Sequence, residues 1–294
     1  MPWIRLLETT PRLPAAALPE WFAALLQVCP AAAPFELAVL GGARAASPGL
    51  AFLAGYQAAL RVLWPSAPPS LGALCVTENK STRPADMGTR LQGLSLNGRK
   101  DFVTAGDAAD WLLVAAREEA DGEPPRLALT VVHGGAPGMH VENLPPLPLM
   151  PDVTHARLLL HDVHCERLAG DGWDAYVKPF RTIEDVHVLA AFSAWQYGLG
   201  RECQWPPSLQ LKLLALLAGC AEVARQSPAA PATHVLLAGL FHQQAALKTE
   251  LDEAFSAGPG HWAAIWQRDR NLLSIAAGAR AKRLEKALAV LGIQ

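Results

Sequence analysis

Apolar and polar positions divide the 294-residue chain into two helical blocks with a strand-rich stretch between them. Residues 71–170 hold short apolar runs bounded by Gly, Asn, Asp and Pro, a pattern typical of a small antiparallel barrel or sandwich. Residues 1–70 and 171–294 carry apolar residues at helical spacing. The pattern therefore predicts an α+β protein of several layers, with a helical block (1–70), a β-barrel domain (71–170) and a helical bundle (171–294).

Helix boundaries are predicted mostly where proline or glycine interrupts the apolar periodicity. The predicted helices cover residues 18–28, 49–63, 183–199, 208–224, 232–255 and 262–291. The last two are long enough to pack as part of an antiparallel bundle.

Strands are predicted from short runs rich in β-branched and other apolar residues. These runs cover residues 73–78, 94–106, 109–117, 126–132, 139–144 and 156–160. Asn97-Gly98 interrupts the second run, and this dipeptide suits a type I′ turn because both residues tolerate positive φ. The sequence therefore predicts a hairpin turn at Asn97 and Gly98.

Composition excludes several classes of function. The net charge of −2 gives no electrostatic case for nucleic acid or an anionic membrane as a partner. Five cysteines without Cys-x-x-Cys spacing indicate reduced thiols in the cytoplasm, where we expect the protein to be located. No apolar run is long enough to span a bilayer. The histidines and acidic residues show no defined ligand spacing, so we expect no metal site.

Four short motifs follow one another between residues 76 and 111. They are Val-Thr-Glu (76–78), Leu-Asn-Gly-Arg-Lys (96–100), Phe-Val-Thr-Ala-Gly (102–106) and Ala-Asp-Trp (109–111). Together they resemble the middle domain of the acyl-CoA dehydrogenases, a flavoprotein family, and the chain is similar to that family from about residue 50 onward. The resemblance implies FAD as cofactor and α,β-dehydrogenation of an acyl-CoA thioester. It also implies an electron-transfer flavoprotein as partner and a homodimer or homotetramer.

The resemblance places the flavin ring against two strands. The matching positions here are Val76, Thr77, Phe102, Val103 and Thr104. A planar heteroaromatic ring favours an aromatic neighbour and a few oriented hydrogen-bonding groups. The same residue types are ordinary in strands, so a purely structural role stays open.

The loop at residues 79–88 departs from the Gly-Ser-Asp loop of the family. Lys80 and Arg83 offer charged contacts for a phosphate in place of a close backbone approach. A solvated basic loop explains the same residues equally well. The two interpretations stay open.

The catalytic base of the family is a glutamate, and its usual C-terminal position is Ala277 here. A minority of the family carries the glutamate on the first helix after the barrel, where this chain has Glu184. A carboxylate with a raised pKa suits abstraction of a proton α to a thioester. Alternatively, Glu184 is a carboxylate at a helix N-terminus, stabilised by the helix dipole. His187 follows three residues later and either tunes Glu184 or packs in the core.

Two hypotheses for function follow. The first is an FAD-dependent oxidoreductase of the acyl-CoA dehydrogenase type with Glu184 as base. The second is a non-catalytic binding or assembly subunit that has lost flavin chemistry. The second is motivated by Ala277, by the altered loop, and by residues 200–207, which lack the family's Arg-x-x-Phe-Gly motif for the adenine end of the cofactor.

Overall fold

The computed structural model describes residues 2–8, 11–119 and 126–293. The N-terminal block begins with a 3-10 turn and contains three helices: α1 (Leu18–Val28), α2 (Pro34–Arg44) and α3 (Pro48–Leu63). Each helix has proline in its first turn, where the missing N–H costs nothing. Helices α1 and α3 are as the sequence predicts. Helix α2 was missed because its Gly41-Gly42 pair weakens the helical signal.

Eight described strands form one sheet. They are β1 (Gly72–Cys75), β2 (Arg90–Gln92), β3 (Ser95–Thr104), β4 (Trp111–Glu118), β5 (Arg126–His133), β6 (Met139–Asn143), β7 (His155–His164) and β8 (Glu166–Arg167). The order is β6-β7-β3-β2-β4-β5-β8, and β1 also pairs with β4.

The sheet is mixed and open, which corrects the predicted antiparallel barrel. Both β1 and β2 run parallel to β4, the first along residues 111–114 and the second at residues 117 and 118. No ladder among the described residues joins the edge strands β6 and β8. Residue patterns along a strand do not reveal the direction of its partner, so pairing direction and closure were beyond sequence reasoning.

The predicted turn at Asn97-Gly98 is wrong, because both residues lie inside β3. The chain reverses instead at Gly93, whose φ is 58°. The Asn97 amide donates to Asp162 Oδ1 at 2.8 Å and accepts the Asp162 N–H at 2.9 Å, which fixes β3 on β7. A Cβ on Gly98 would lie 2.5 Å from the Cα of Thr89, so glycine is required there by close packing.

The C-terminal block contains six helices in the described chain. They are α4 (Lys178–Glu202), α5 (Pro207–Val223), α6 (Pro231–Ala246), α7 (Lys248–Ala257), α8 (Gly260–Asp269) and α9 (Ala277–Leu291). The helices predicted at 232–255 and 262–291 are each interrupted, the first at Leu247 and the second at residues 270–276. Neither interruption contains proline, so the sequence carries no strong stop signal. No helix of the described chain is both long and apolar enough to cross a bilayer.

One hydrophobic core connects the three blocks. Its buried residues include Trp21 of α1, Leu112 of β4 and Trp195 of α4. Phe255 stacks on Trp195 and on Trp266, with ring centroids 5.6 and 4.5 Å apart. The helical blocks and the sheet therefore hold one another in place around the cavity described next.

Candidate active site

The three blocks meet at a cavity of about 330 Å³. Its walls include Tyr56 of α3, Thr77 and Phe102 beside or within the sheet, Glu184 of α4 and Ala276 just before α9. The lining is mostly apolar, with a small number of polar side chains. Such a cavity has the size and composition of a small-molecule site.

Four of the five predicted flavin contacts line this cavity: Val76, Thr77, Phe102 and Thr104. The Phe102 ring is 38% exposed and offers a face to the cavity. Val103 does not line it, because successive strand residues point to opposite sides and its side chain is fully buried in the core. The alternation of side chains along a strand already separates Val103 from Phe102 and Thr104 in the sequence.

The structure does not bring the side chains of Lys80 and Arg83 to the cavity. Both are exposed. Asn79 and Lys80, with φ of 48° and 61°, form a two-residue turn closed by Glu78 N–H to Ser81 O and Ser81 N–H to Glu78 O, at 2.9 and 2.8 Å. This turn carries Lys80 outward, and the phosphate contacts stay a prediction.

Glu184 faces the cavity without a hydrogen bond or an ion pair to any residue that the structure describes. Its neighbour Asp185 pairs with Arg280 at 3.0 Å and with Arg283. The pKa of Glu184 is raised to about 8, mainly by burial and also by the charge of Asp185, while Arg181 and Arg283 oppose the shift. A carboxyl group that is neutral in its resting state and unpaired is available to exchange a proton near neutral pH.

The position of Glu184 within α4 does not support the alternative role of a carboxylate stabilised by the dipole at a helix N-terminus. A turn at Trp173–Val177 leads into α4, which begins at Lys178. Glu184 therefore lies beyond the first turn, where the helix dipole acts most strongly. The sequence placed the helix start near Ile183, so it overestimated this effect.

His187 packs away from the cavity. Its Nδ1 lies 2.7 Å from the carbonyl oxygen of Ile183, and its ring meets the edge of Phe35 at 6.1 Å. Burial lowers its pKa to about 4. Of the two roles open for His187, the structure favours core packing. Ala277 is exposed, and the preceding Ala276 lines the cavity, so this segment supplies no carboxylate.

Tyr56 and His155 are among the cavity residues that the sequence did not indicate. The Tyr56 hydroxyl accepts the Leu74 N–H at 2.8 Å, and burial raises the pKa of this hydroxyl. No motif around Tyr56 marks it as a site residue, because it lies in an apolar helix. His155 pairs in register with Thr104, and only the strand register places it in the cavity.

His155 has an unusual environment. It is 2% exposed, its ring lies 4.5 Å from the Phe102 ring, and neither ring nitrogen has a hydrogen-bond partner among the described residues. Burial lowers its pKa to about 4, and the nearby Val153 backbone only partly opposes this, so the ring is neutral with one donor and one acceptor unmet. Together with the Phe102 face and the hydroxyls of Thr77 and Thr104, it fits a planar heteroaromatic group with a hydrogen-bonding edge, as in a flavin.

Comparison with known proteins identifies the fold. The sequence matches no protein-family model and no curated protein. Among solved structures, the chain is similar to FkbI, which serves biosynthesis of the methoxymalonyl extender unit of Fk520 (21% identity, TM-score 0.66, 95% of this chain and 94% of that chain). It is also similar to butyryl-CoA dehydrogenase from Megasphaera elsdenii (14%, 0.62, 87% and 81%). A third is KijD3 in complex with FMN and a dTDP-linked amino keto sugar (16%, 0.65, 93% and 86%). The protein therefore has an acyl-CoA dehydrogenase-like fold, as the sequence motifs predict.

Proposed function

We propose that the protein is an FAD-dependent oxidoreductase of the acyl-CoA dehydrogenase type, with Glu184 as its catalytic base. The observation that carries the proposal is the environment of Glu184. Its carboxyl group is unpaired and has a raised pKa, in the same cavity as Thr77, Phe102 and Thr104. The acyl-CoA dehydrogenase-like fold supports the class of reaction, and the site residues support the assignment.

The side chains of Val76, Thr77, Phe102 and Thr104 would hold the flavin ring, and His155 would meet its hydrogen-bonding edge. Bound FAD would supply the acceptor for the hydride that is lost from the β carbon of the acyl group.

Glu184 removes the proton from the α carbon, and its carboxylate then becomes a neutral acid. The apolar walls exclude water from this step and keep the pKa of Glu184 high, which makes the carboxylate a stronger base. Because only the ionised form accepts a proton, kcat/KM should rise with pH through about 8.

The test is Glu184→Gln in the FAD-loaded protein, mixed anaerobically with a set of acyl-CoA thioesters. The flavin absorption band should remain, and its bleaching by thioester should slow by about 10²-fold to 10⁴-fold, the usual contribution of a general base. Glu253→Gln, an exposed glutamate on α7, is the matched control and should bleach as the parent does. Undiminished bleaching in Glu184→Gln would remove Glu184 from the mechanism.

The alternative is a non-catalytic binding or assembly subunit with the same fold. The exposed Ala277 and the outward positions of Lys80 and Arg83 favour it. It predicts that the purified chain takes up no stoichiometric FAD. Binding of one FAD per chain, measured by absorption after gel filtration, would exclude this alternative.

Partners follow from the first proposal. We infer an acyl-CoA thioester as substrate, an electron-transfer flavoprotein as electron acceptor, and a homodimer or homotetramer in the cytoplasm. Large apolar side chains exposed on the C-terminal helices, Leu211 and Val290 among them, support association of subunits through this block.

A further inference from the structure

A second cavity of about 250 Å³ adjoins the first. It lies among α4, α6, the start of α7, α8 and the segment before α9. Phe241, Leu273 and Arg280 line both cavities, so these side chains form a common wall. A ligand that extends from Glu184 past this wall would enter the second cavity.

The second cavity differs from the first in the charge of its lining, which is basic. Its described lining holds no carboxylate. Its polar and basic members are Gln244, Lys248, Arg270, Asn271, Ser274 and Arg280. Such a lining favours a ligand group that is anionic and accepts several hydrogen bonds.

Positive charge exceeds negative charge on both sides of this cavity. On one side, Lys248 and Arg270 share Asp252, at 2.5 and 3.4 Å. On the other side, Arg280 and Arg283 share Asp185. Each pair of cations meets a single carboxylate, so each side retains one positive charge to attract an anion.

A buried amide pair lies at the wall of the second cavity. Gln244 is 7% exposed, lines the cavity, and donates to Gln196 Oε1 at 3.1 Å. Gln244 Oε1 and Gln196 Nε2 have no partner among the described residues. The unmet Gln244 oxygen is an acceptor, which water can satisfy and an ionised carboxylate cannot, so the charge of the ligand is argued from the basic side chains alone.

We propose that the second cavity binds a carboxylate at the far end of the acyl group, so that the preferred substrates are ω-carboxyacyl thioesters. The inference rests on the proposed function, because it takes the thioester to lie beside Glu184. The acyl chain passes the apolar side chains of Phe241 and Leu273, and its carboxylate meets Arg270 and Lys248. A guanidinium matches a carboxylate with two parallel hydrogen bonds, which gives Arg270 the leading role.

Calorimetric titration of the full-length protein with paired CoA thioesters tests the proposal. Each pair has the same chain length, from four to about ten carbons in the acyl group, and differs only in a terminal methyl or carboxylate. Beyond some length, the ω-carboxyacyl thioester should bind about tenfold more tightly than its neutral partner, as expected for a charged hydrogen bond. Arg270→Gln should abolish this preference, and Arg270→Lys should restore only part of it, because lysine keeps the charge without the paired hydrogen bonds. The exposed Arg225→Gln serves as control.

Equal affinity within every pair, or a preference that survives Arg270→Gln, would overturn the proposal. So would inorganic pyrophosphate that binds in an Arg270-dependent way without any preference for the ω-carboxylate, because the cavity would then be a phosphate subsite. An Arg270-dependent preference without flavin bleaching would retain this proposal and reject the dehydrogenase function. If only the neutral thioesters bleach the flavin, the dehydrogenase function would be retained and the ω-carboxylate proposal rejected.

Discussion

Two glutamates of this protein, Glu78 and Glu184, have opposite environments. Burial opposes ionisation of both. Glu78 accepts hydrogen bonds from Lys100 Nζ at 2.5 Å, from Thr89 Oγ1 at 2.7 Å and from the Gly88 N–H, and these outweigh burial to lower its pKa. Glu184 has no comparable donor among the described residues, so its pKa rises. The residue type is shared, and the local hydrogen-bond donors decide that Glu78 has a lowered pKa and Glu184 the raised pKa that its proposed role requires.

Lys100→Met is expected to destabilise the protein strongly. Lys100 is fully buried, and its loss leaves the Glu78 carboxylate buried without its counterion. Urea unfolding should show a loss of about 3–5 kcal/mol, the usual cost of removing one partner of a buried pair. Lys178→Met, which breaks an exposed pair with Asp174, should cost less than about 1 kcal/mol. Equal losses of unfolding free energy in the two variants would mean that the Glu78–Lys100 pair does not stabilise the protein as a buried ion pair.

Glu184→Gln is expected to change stability in a pH-dependent way. The folded-state pKa is about 8 and the unfolded value is 4.5, so the folded chain binds more protons between these limits and stability falls as pH rises through the window. Glutamine cannot ionise, so the stability of the variant does not fall in this way as pH rises. Relative to the parent, it should gain stability between pH 5 and pH 9, since each pKa unit is worth about 1.4 kcal/mol. A difference in unfolding free energy that stays constant with pH would contradict the raised pKa.

Among the elements, α4 is the central helix, and glycines let α2 and α3 approach it. A Cβ on Gly42 would lie 2.0 Å from the carbonyl oxygen of Ala191, and a Cβ on Gly55 would lie 2.7 Å from the backbone of His187 and Val188. Glycine weakens a helix taken alone. Here it permits close backbone contact with the helix that carries Glu184.

Gly42→Ala is therefore expected to destabilise the protein although alanine is the better helix former. Overpacking against a backbone should cost about 1–3 kcal/mol. Gly239→Ala is the matched control, because Gly239 lies inside α6 with nothing near its Cβ position, and it should stabilise by about 1 kcal/mol. Thermal unfolding followed by circular dichroism measures both. A stabilising Gly42→Ala would show that α2 and α4 are less closely packed than described.

At the scale of the whole molecule, one hydrophobic cluster includes buried residues of both helical blocks and of the sheet, so the protein is expected to unfold in a single step. Tryptophans of that core lie in different blocks, such as Trp21 in α1 and Trp195 in α4. Fluorescence and far-ultraviolet circular dichroism should report coincident unfolding curves in urea. A chain that starts at residue 71 should fail to fold, because it exposes the apolar faces that α1 and α3 cover. Two separated transitions would instead support independent domains at the predicted boundaries.

Much of the fold was readable from the sequence. Helix α1 and most of α3, the strands from β4 to β6, and the helix–sheet–helix order follow from apolar periodicity and from the positions of proline and glycine. The motifs from Val76 to Trp111 indicated the acyl-CoA dehydrogenase-like fold. The mistaken turn at Asn97-Gly98 has a physical cause: this dipeptide permits a turn, but here a side-chain bond to Asp162 and contact with Thr89 hold it in a strand.

The sequence by itself determined many of the elements, among them α1, α3 and the strands from β4 to β6, because helix and strand signals are local and repeat every few residues. It also named Thr77, Phe102, Thr104 and Glu184 as candidates by resemblance. Only the tertiary structure decided which side chains share a cavity. It left the side chains of Val103, Lys80 and Arg83 outside the cavity and added Tyr56 and His155 to its lining. It also left Glu184 unpaired among the described residues, whereas Asp185 pairs with Arg280 and Arg283. These outcomes depend on contacts between residues far apart in the chain, which no local pattern specifies.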